Sequence, residues 1–393
     1  LATLKSAPPS SVSAISAWGG ISLLAVSMLT IMVGCVIVPG LPSIANALGV
    51  GGQAGWLVTL PALGVVLFGP MAGRLIDRIG TWRALAVGLI LYGALGLGTV
   101  LLHGAVQVFS SRVLLGGATA LIMAGGTGLI SEFYQGDQRL TMIARQGMAI
   151  ELGGVVFLAL GGMLTNVGWY APFALYAMAF VFLGMVVATI PIRGRGTAPV
   201  NMAMEDEAGG AMWTVRVAAL CSMTVFFTAV ILLPFRLSGG GDGVQFSEAQ
   251  TGYFLSFVSL VAVCAAALMP RLVRARGGRK TLMIAFACYE VAHLCFAFAA
   301  DLPLFILGGV LLGCGFGLSV PLVNHMTVER STVRSRGRNL AYLSMALFLG
   351  QFLASFLEYV PGGTQSSFLA AAAVAFFAGV GCFKQKAALR AGT

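Results

Sequence analysis

The chain has 393 residues, 58% of them hydrophobic and 9% charged, with a mean hydropathy of +0.94. A soluble domain carries roughly 25% charged residues, so this composition excludes a water-soluble fold. The net charge of +10 invites a nucleic-acid reading, which the placement of the charges then rules out.

Apolar runs of about 20 residues match a bilayer core of roughly 30 Å at 1.5 Å rise per residue. Twelve such runs are predicted as membrane helices, at roughly 17–38, 53–73, 83–102, 106–130, 142–166, 170–190, 213–235, 250–270, 281–300, 303–326, 339–360 and 366–384. The first ten residues are polar and contain proline, so no cleavable leader is expected before the first run. With the N-terminus cytoplasmic and the runs alternating, every basic residue except Arg112 and Arg236 falls in a cytoplasmic segment. This positive-inside asymmetry predicts both termini in the cytoplasm of an inner (plasma) membrane and makes the basic charge an orientation signal, not a nucleic-acid surface.

The first run, with Met28 and Met32, has no acidic residue. Between the second and third lies Gly73-Arg74-Leu75-Ile76-Asp77-Arg78-Ile79-Gly80-Thr81-Trp82-Arg83, where Gly73 and Gly80 permit a tight reversal. The fourth run holds Arg112, about six residues or roughly 9 Å inside its outer end. Its stripe of Leu115, Gly116, Thr119 and Met123 is expected to face a cavity, and the arginine serves either transport or a structural ion pair. The fifth run is dense in glycine, with Gly147, Gly153, Gly154, Gly161 and Gly162. Small residues let helices approach closely in lipid, as tight packing or as a sliding seam. It also holds Glu151, roughly 9 Å from the cytoplasmic end. An acid shielded in a bilayer is a candidate proton carrier or a structural partner.

Residues 192–212 are polar and carry Glu205-Asp206-Glu207. They divide the chain into six-helix halves, 1–191 and 213–393. Loop 236–249 is glycine-rich and reads as a flexible outer turn, with Arg236 at the rim. Phe226, Phe227, Phe254 and Phe257 of the seventh and eighth runs, with Met28 and Met32, form either an adaptable apolar pocket or ordinary packing. Glu290 and His293 share a face of the ninth run and are placed to satisfy each other. Asn324 and His325 come late in the tenth, and histidine titrates near neutral pH. Gln351 is a candidate cavity group in the eleventh, and Glu358 a rim residue at its end. The seven cysteines form no CxxC pair and read as packing residues.

An offset of 197 residues relates much of this inventory. It carries 73–83 onto Pro270-Arg271-Leu272-Val273-Arg274-Ala275-Arg276-Gly277-Gly278-Arg279-Lys280, Val113-Leu114-Leu115-Gly116 onto Val310-Leu311-Leu312-Gly313, Glu132 onto Glu329, Arg139 onto Arg336 and Gly153 onto Gly350. An even number of helices per half makes them parallel repeats about an axis along the membrane normal.

The pattern Gly73-x-Leu75-x-Asp77-Arg78-x-Gly80-x-x-Arg83 resembles the signature loop of the major facilitator superfamily, G-x-L-x-D-R-x-G-R-K-x, in type and in placement. The resemblance implies an all-α membrane protein of twelve helices in two pseudo-symmetric halves, with a cavity lined by helices 1, 4, 7 and 10. It implies that Gly73, Asp77, Arg78, Gly80 and Arg83 form a cytoplasmic gate. There Asp77 would look toward the start of the eleventh helix, near Arg338 and Asn339, where a helix dipole favours an anion. Arg112 to Ala118 resembles the arginine motif of proton-coupled members. The fifth run keeps the flanking glycines of the antiporter motif but has Phe157-Leu158 where Gly-Pro is the pattern, which weakens that resemblance. Gly168-Trp169 and Phe173 fit the export branch.

Three functions are weighed. The first is proton-coupled export of small amphipathic molecules, drug or metabolite, by alternating access. The second is solute import or proton symport on the same fold, since fold does not fix direction. The third is a non-transporting sensor. No nucleophile–base pair, metal cluster or phosphate loop is legible, so neither an enzyme nor a cofactor or metal is expected. The expected partners are a small-molecule substrate, protons and the lipid bilayer, with the protein a monomer. Arg112, Glu151, Asn324, His325, Glu290 and Gln351 are the candidates for coupling or the cavity.

Overall fold

The computed structural model describes residues 15–192, 209–239, 245–332 and 335–390. The acidic run Glu205-Asp206-Glu207, most of the linker and the glycines of 240–243 lie outside the described residues. Among the described residues twelve helices are long and apolar enough to cross a membrane, which makes this a multi-pass membrane protein. They are α1 (Ala17–Cys35), α2 (Gly55–Ile79), α3 (Thr81–Gly98), α4 (Ala105–Phe133), α5 (Gly136–Thr165), α6 (Ala171–Thr189), α7 (Gly209–Leu237), α8 (Glu248–Arg276), α9 (Gly278–Phe298), α10 (Leu302–Glu329), α11 (Arg336–Tyr359) and α12 (Gly363–Arg390). A short helix, Leu41–Ala47, joins α1 to α2. α6 opens, and α11 closes, as a tighter 3₁₀ turn. No strand occurs among the described residues.

Local chemistry sets the ends. The Ser16 side chain accepts from the Gly19 N–H, Asp301 accepts from the Leu304 N–H, and Ser247 with Gln250 forms a capping box. The turns α2–α3 and α8–α9 each hinge on one glycine in the left-handed region, Gly80 at φ +86° and Gly277 at φ +80°. These two stand 197 residues apart. Gly73 takes no part in the reversal, because α2 continues through it to Ile79.

The helices pair in one pattern used twice. In the first six, α2 packs on α4, α3 on α4, and α1 on α4, α5 and α6, with α3 also on α6. In the last six, α8 packs on α10, α9 on α10, and α7 on α10, α11 and α12, with α9 also on α12. The close approaches correspond too. A Cβ on Gly116 would stand 2.1 Å from the Pro61 carbonyl oxygen, and one on Gly313 would stand 2.6 Å from that of Val258. Both pairs are related by the 197-residue offset, as are Tyr92 and Tyr289, each fully buried.

Two seams, α5 with α8 and α2 with α11, join the two sets. Arg74, Arg78, Arg83, Arg271, Arg274, Arg276, Arg279 and Lys280 mark one end of the bundle, here the basic end. At the opposite end the seams are shut. The Gly55 N–H donates to Glu358 Oε2 at 3.0 Å, Trp56 Nε1 donates to the Tyr359 hydroxyl at 2.6 Å, and Thr59 bonds Ser355. The Trp56 ring meets Phe352 and Phe356 edge-on. Ser43, on the short helix, donates to Glu248 at the start of α8. Toward the basic end the seams part. On α5, a Cβ at Gly162 would stand 2.7 Å from the Glu248 carbonyl oxygen, one at Gly154 only 3.8 Å from Ser259 Oγ, and one at Gly147 would meet nothing within 4 Å. Gly69 and Gly73 of α2 and Gly337 of α11 are likewise open.

Candidate functional site

The cleft follows from that gradient. Gly162, Leu158, Val155, Glu151 and Met148 form one stripe of α5, the stripe that faces α8. Its first members are closed: Gly162 lies against Gly252, and the Val155 carbonyl accepts from Ser256 Oγ at 2.8 Å. Met148 is 64% exposed. Glu151 stands between them, at the apex where α5 and α8 separate. It lies in the middle of a helix that runs from Gly136 to Thr165, beginning six residues earlier than its hydropathy indicates. Cys35 of α1 and Tyr289 of α9 are within its electrostatic reach. One turn away, Gln146 donates to Ser27 Oγ at 3.0 Å and to Thr127 Oγ1 at 3.2 Å, tying α5 to α1 and α4. Gln351 is buried in α11, with Nε2 beside Gly34 of α1.

Arg112 does not face the cleft. It is fully buried, and its guanidinium donates to three oxygens: Leu57 O at 2.8 Å, the Tyr176 hydroxyl at 3.1 Å and Val33 O at 3.3 Å. The Tyr176 hydroxyl itself donates to Val33 O at 2.9 Å. The residue staples α1, α2, α4 and α6 together, and neither a carboxylate nor Glu151 is among its partners. A desolvated guanidinium survives here because carbonyl and phenol oxygens replace its water.

Glu290 and His293 are not paired. His293 turns inward, with Nδ1 2.8 Å from the Tyr289 carbonyl and its ring among Phe296 and Phe368. Glu290 falls beside the exposed stripe of Val291 and Leu294. Three residues advance a helix by 300°, which here separates a core face from an outer one. His325 is exposed, 3.7 Å from Glu329 of its own helix, and Asn324 Nδ2 donates to the Val320 carbonyl at 3.0 Å. Neither bonds to Glu151 among the described residues. The aromatic residues divide: Phe226 packs on Phe227 and Phe316, while Phe254 meets Phe246 and Gly309. Glu358 is part of the shut seam and not a rim residue, whereas Arg236 keeps its place at the rim. Asp77, Arg78 and Arg83 lie at the basic end, away from the shut contacts.

Sequence reasoning missed the Gln146–Ser27–Thr127 network and the Ser222–Tyr289–Ser319 hydroxyl cluster. Ser27, Thr127, Ser222 and Ser319 lie in apolar runs, and that placement was the available signal.

Twelve spanning helices that repeat one pairing pattern, joined by two seams and parted at one end, define a membrane transport fold. The chain belongs to the Major Facilitator Superfamily, whose family model matches residues 23–355. Solved structures agree on the fold. A bacterial homologue of the human lysosomal transporter Spinster, inward-facing and unoccupied, matches with a TM-score of 0.76 at 16% identity, over 96% of this chain and 97% of that one. A peptide transporter matches at 0.74 and 14% identity, over 93% of each chain. Among curated relatives, "Multidrug resistance protein 1" of Bacillus subtilis (strain 168) is 28% identical over 180 residues, 44% of this chain and 45% of the relative. "Quinolone resistance protein NorA" of Staphylococcus aureus is 28% identical over 151 residues, 37% of this chain and 39% of the relative. The matches thus span less than half the length of these relatives.

Proposed function

We propose that this protein is a secondary transporter that exports small amphipathic molecules in exchange for protons, by alternating access between two six-helix halves, 1–191 and 213–393, joined by the linker 192–212. The basic end is the cytoplasmic end on the positive-inside rule, which makes the described state inward-open. The observation that carries the reading is Glu151 at the cleft apex: a single carboxyl, in the middle of its helix, at the point where the two sets of helices separate. An acid there exchanges a proton with whichever side the cleft faces. The names of the relatives, multidrug and quinolone resistance, support export over import.

Within this reading Gln351 is a second apex group, and Asp77, Arg78, Gly80 and Arg83 close the basic end when the opposite end opens. Arg112 holds the first half rigid. Glu290 takes no part in coupling, since it lies beside the outer stripe of α9, and Asn324 and His325 are secondary candidates.

The test uses inside-out membrane vesicles with an imposed pH gradient and an amphipathic dye. An acidic interior should drive dye uptake, and Glu151→Gln should abolish the dependence on the gradient while dye binding persists. Gradient-driven uptake that is unchanged in Glu151→Gln would remove the proton role; uptake driven only by an alkaline interior would favour symport.

A further inference from the structure

The basic residues outside the basic end are two, Arg112 and Arg236, and the structure accounts for only one of them. Arg112 spends its guanidinium on three oxygens inside the protein. Arg236, at the end of α7, makes one hydrogen bond among the described residues, from Nη2 to the Ala299 carbonyl at 2.9 Å. That bond fixes the guanidinium, and Nε and Nη1 have no partner among the described residues. They lie in a cleft of about 440 Å³ walled by Phe235, Phe298, Ala299, Gly362, Thr364 and Gln365. Its volume lies within the roughly 300–1,000 Å³ range of small-molecule sites.

The chemistry of the walls is one-sided. Thr364 and Gln365 bring a hydroxyl and an amide that no bond within the described residues uses, beside the free arginine donors. Among the described residues no acidic side chain lines the cleft. The adjacent acid, Asp301, is engaged in capping α10 through the Leu304 N–H. α12 begins at Gly363, and the first N–H groups of a helix lack intrahelical acceptors. A cationic cleft with no carboxylate among its described residues suits an anion, and a fixed guanidinium whose remaining N–H groups have no described partner matches a phosphate. Phe235 and Phe298, the latter 60% exposed at the bundle surface, suit the acyl portion of a lipid at the edge of this mainly polar cleft.

The repeat argues that this cleft is not a by-product of the fold. The residues 197 positions before Arg236, Ala299, Thr364 and Gln365 are Pro39, Leu102, Val167 and Gly168. The first half has the same helices there and none of the donors.

We propose that the Arg236 cleft binds a phosphate group, with a membrane glycerophospholipid of the leaflet at the non-basic end as its source. The inference is independent of the direction or coupling of transport.

The test is thermal unfolding of the full chain in detergent, titrated with short-chain phosphatidylglycerol, short-chain diacylglycerol or inorganic phosphate. Phosphatidylglycerol should raise the midpoint, diacylglycerol should not, and Arg236→Gln should weaken the response at least tenfold. The double variant Thr364→Val with Gln365→Leu keeps the arginine and its Ala299 bond, and should weaken the response several-fold; it carries the test if Arg236→Gln does not fold. A response to inorganic phosphate at the same concentration, also lost in Arg236→Gln, identifies the free anion as the occupant of the same site. Equal responses to phosphatidylglycerol and diacylglycerol, or a response unaltered in both variants, overturn the proposal.

Discussion

A methyl group at Gly252 should tip the transporter toward the state closed at its basic end. The Cβ of Gly252→Ala would stand 2.6 Å from the Leu158 carbonyl oxygen and 3.0 Å from the Gly162 Cα. Both obstacles are backbone, so no side-chain rotation relieves them. Ordinary contact begins near 3.5 Å, so α5 and α8 must separate there by roughly 0.9 Å. Overpacking of this kind costs about 1–3 kcal/mol. The cost falls on the described state, because in the alternate state the seam opens at this point. The gain in helix propensity from glycine to alanine applies to both states and cancels. The ratio of the two states should therefore shift roughly 5–150-fold.

The assay is a distance distribution between spin labels at positions 147 and 337, where Gly147 and Gly337 have open space around them. These positions lie on α5 and α11 at the basic end, so closure brings them together. Gly252→Ala should enlarge the short-distance population. Gly69→Ala, on α2 where the seam with α11 is open, should leave the distribution unchanged. A Gly252→Ala protein that is folded and shows the wild-type distribution would refute the claim that seam contact holds the described state.

Three further outcomes follow from named bonds. Arg112→Gln should lower stability by roughly 3–5 kcal/mol, since it strands the oxygens of Leu57, Val33 and Tyr176 in the core; thermal unfolding that matches wild type would contradict the staple. Glu358→Ala removes the acceptor of the Gly55 N–H and should move the same spin-label distribution in the same direction as Gly252→Ala, by about 1–2 kcal/mol; no movement would place the strength of the closed end elsewhere. His325→Ala breaks only an exposed contact with Glu329, so it should cost at most about 0.5 kcal/mol and leave dye flux intact; loss of flux would restore His325 to the pathway.

Much of the architecture was legible because hydropathy and the 197-residue offset are properties of the sequence. Gly80 with Gly277 and Gly116 with Gly313 could be matched by spacing, and the structure places each pair at equivalent points. The glycines of the fifth run announced a close approach, but not which helix approaches; that is a tertiary fact. For Arg112 the sequence leaves a transport role and a structural one open, for a related reason. Its acceptors at Leu57 and Val33 are main-chain oxygens, and a carbonyl leaves no mark in a sequence. Glu290 and His293 were misread because i,i+3 spacing shows that two side chains are neighbours without showing that the boundary of the core runs between them. The closed-end contacts Gly55–Glu358 and Thr59–Ser355 join residues some 300 positions apart, and no local pattern announces them.

The two halves repeat one pattern but fill it differently, with a consequence for which half yields. Where α4 crosses α2, Arg112 donates to Leu57 O. The equivalents of Arg112 and Leu57, 197 positions on, are Gly309 and Phe254. There the Phe254 ring fills the space, and a Cβ at Gly309 would meet it at 3.0 Å. A guanidinium bound to three fixed oxygens loses much of its bonding on a displacement of about 1 Å, because hydrogen bonds weaken steeply with geometry. A ring against a glycine slides with little loss, since dispersion is non-directional and each atomic contact is worth only about 0.1–0.2 kcal/mol. The first half should move as a rigid body, and the second should deform where α8 crosses α10. Amide hydrogen exchange tests this directly: the backbone around 112–119 of α4 should exchange more slowly than that around 309–316 of α10, although the two stretches are equivalent in depth. Arg112→Gln should erase the difference by raising exchange in the first stretch alone. Equal protection of the two stretches in the wild-type protein would show that the staple holds the helices together without stiffening them.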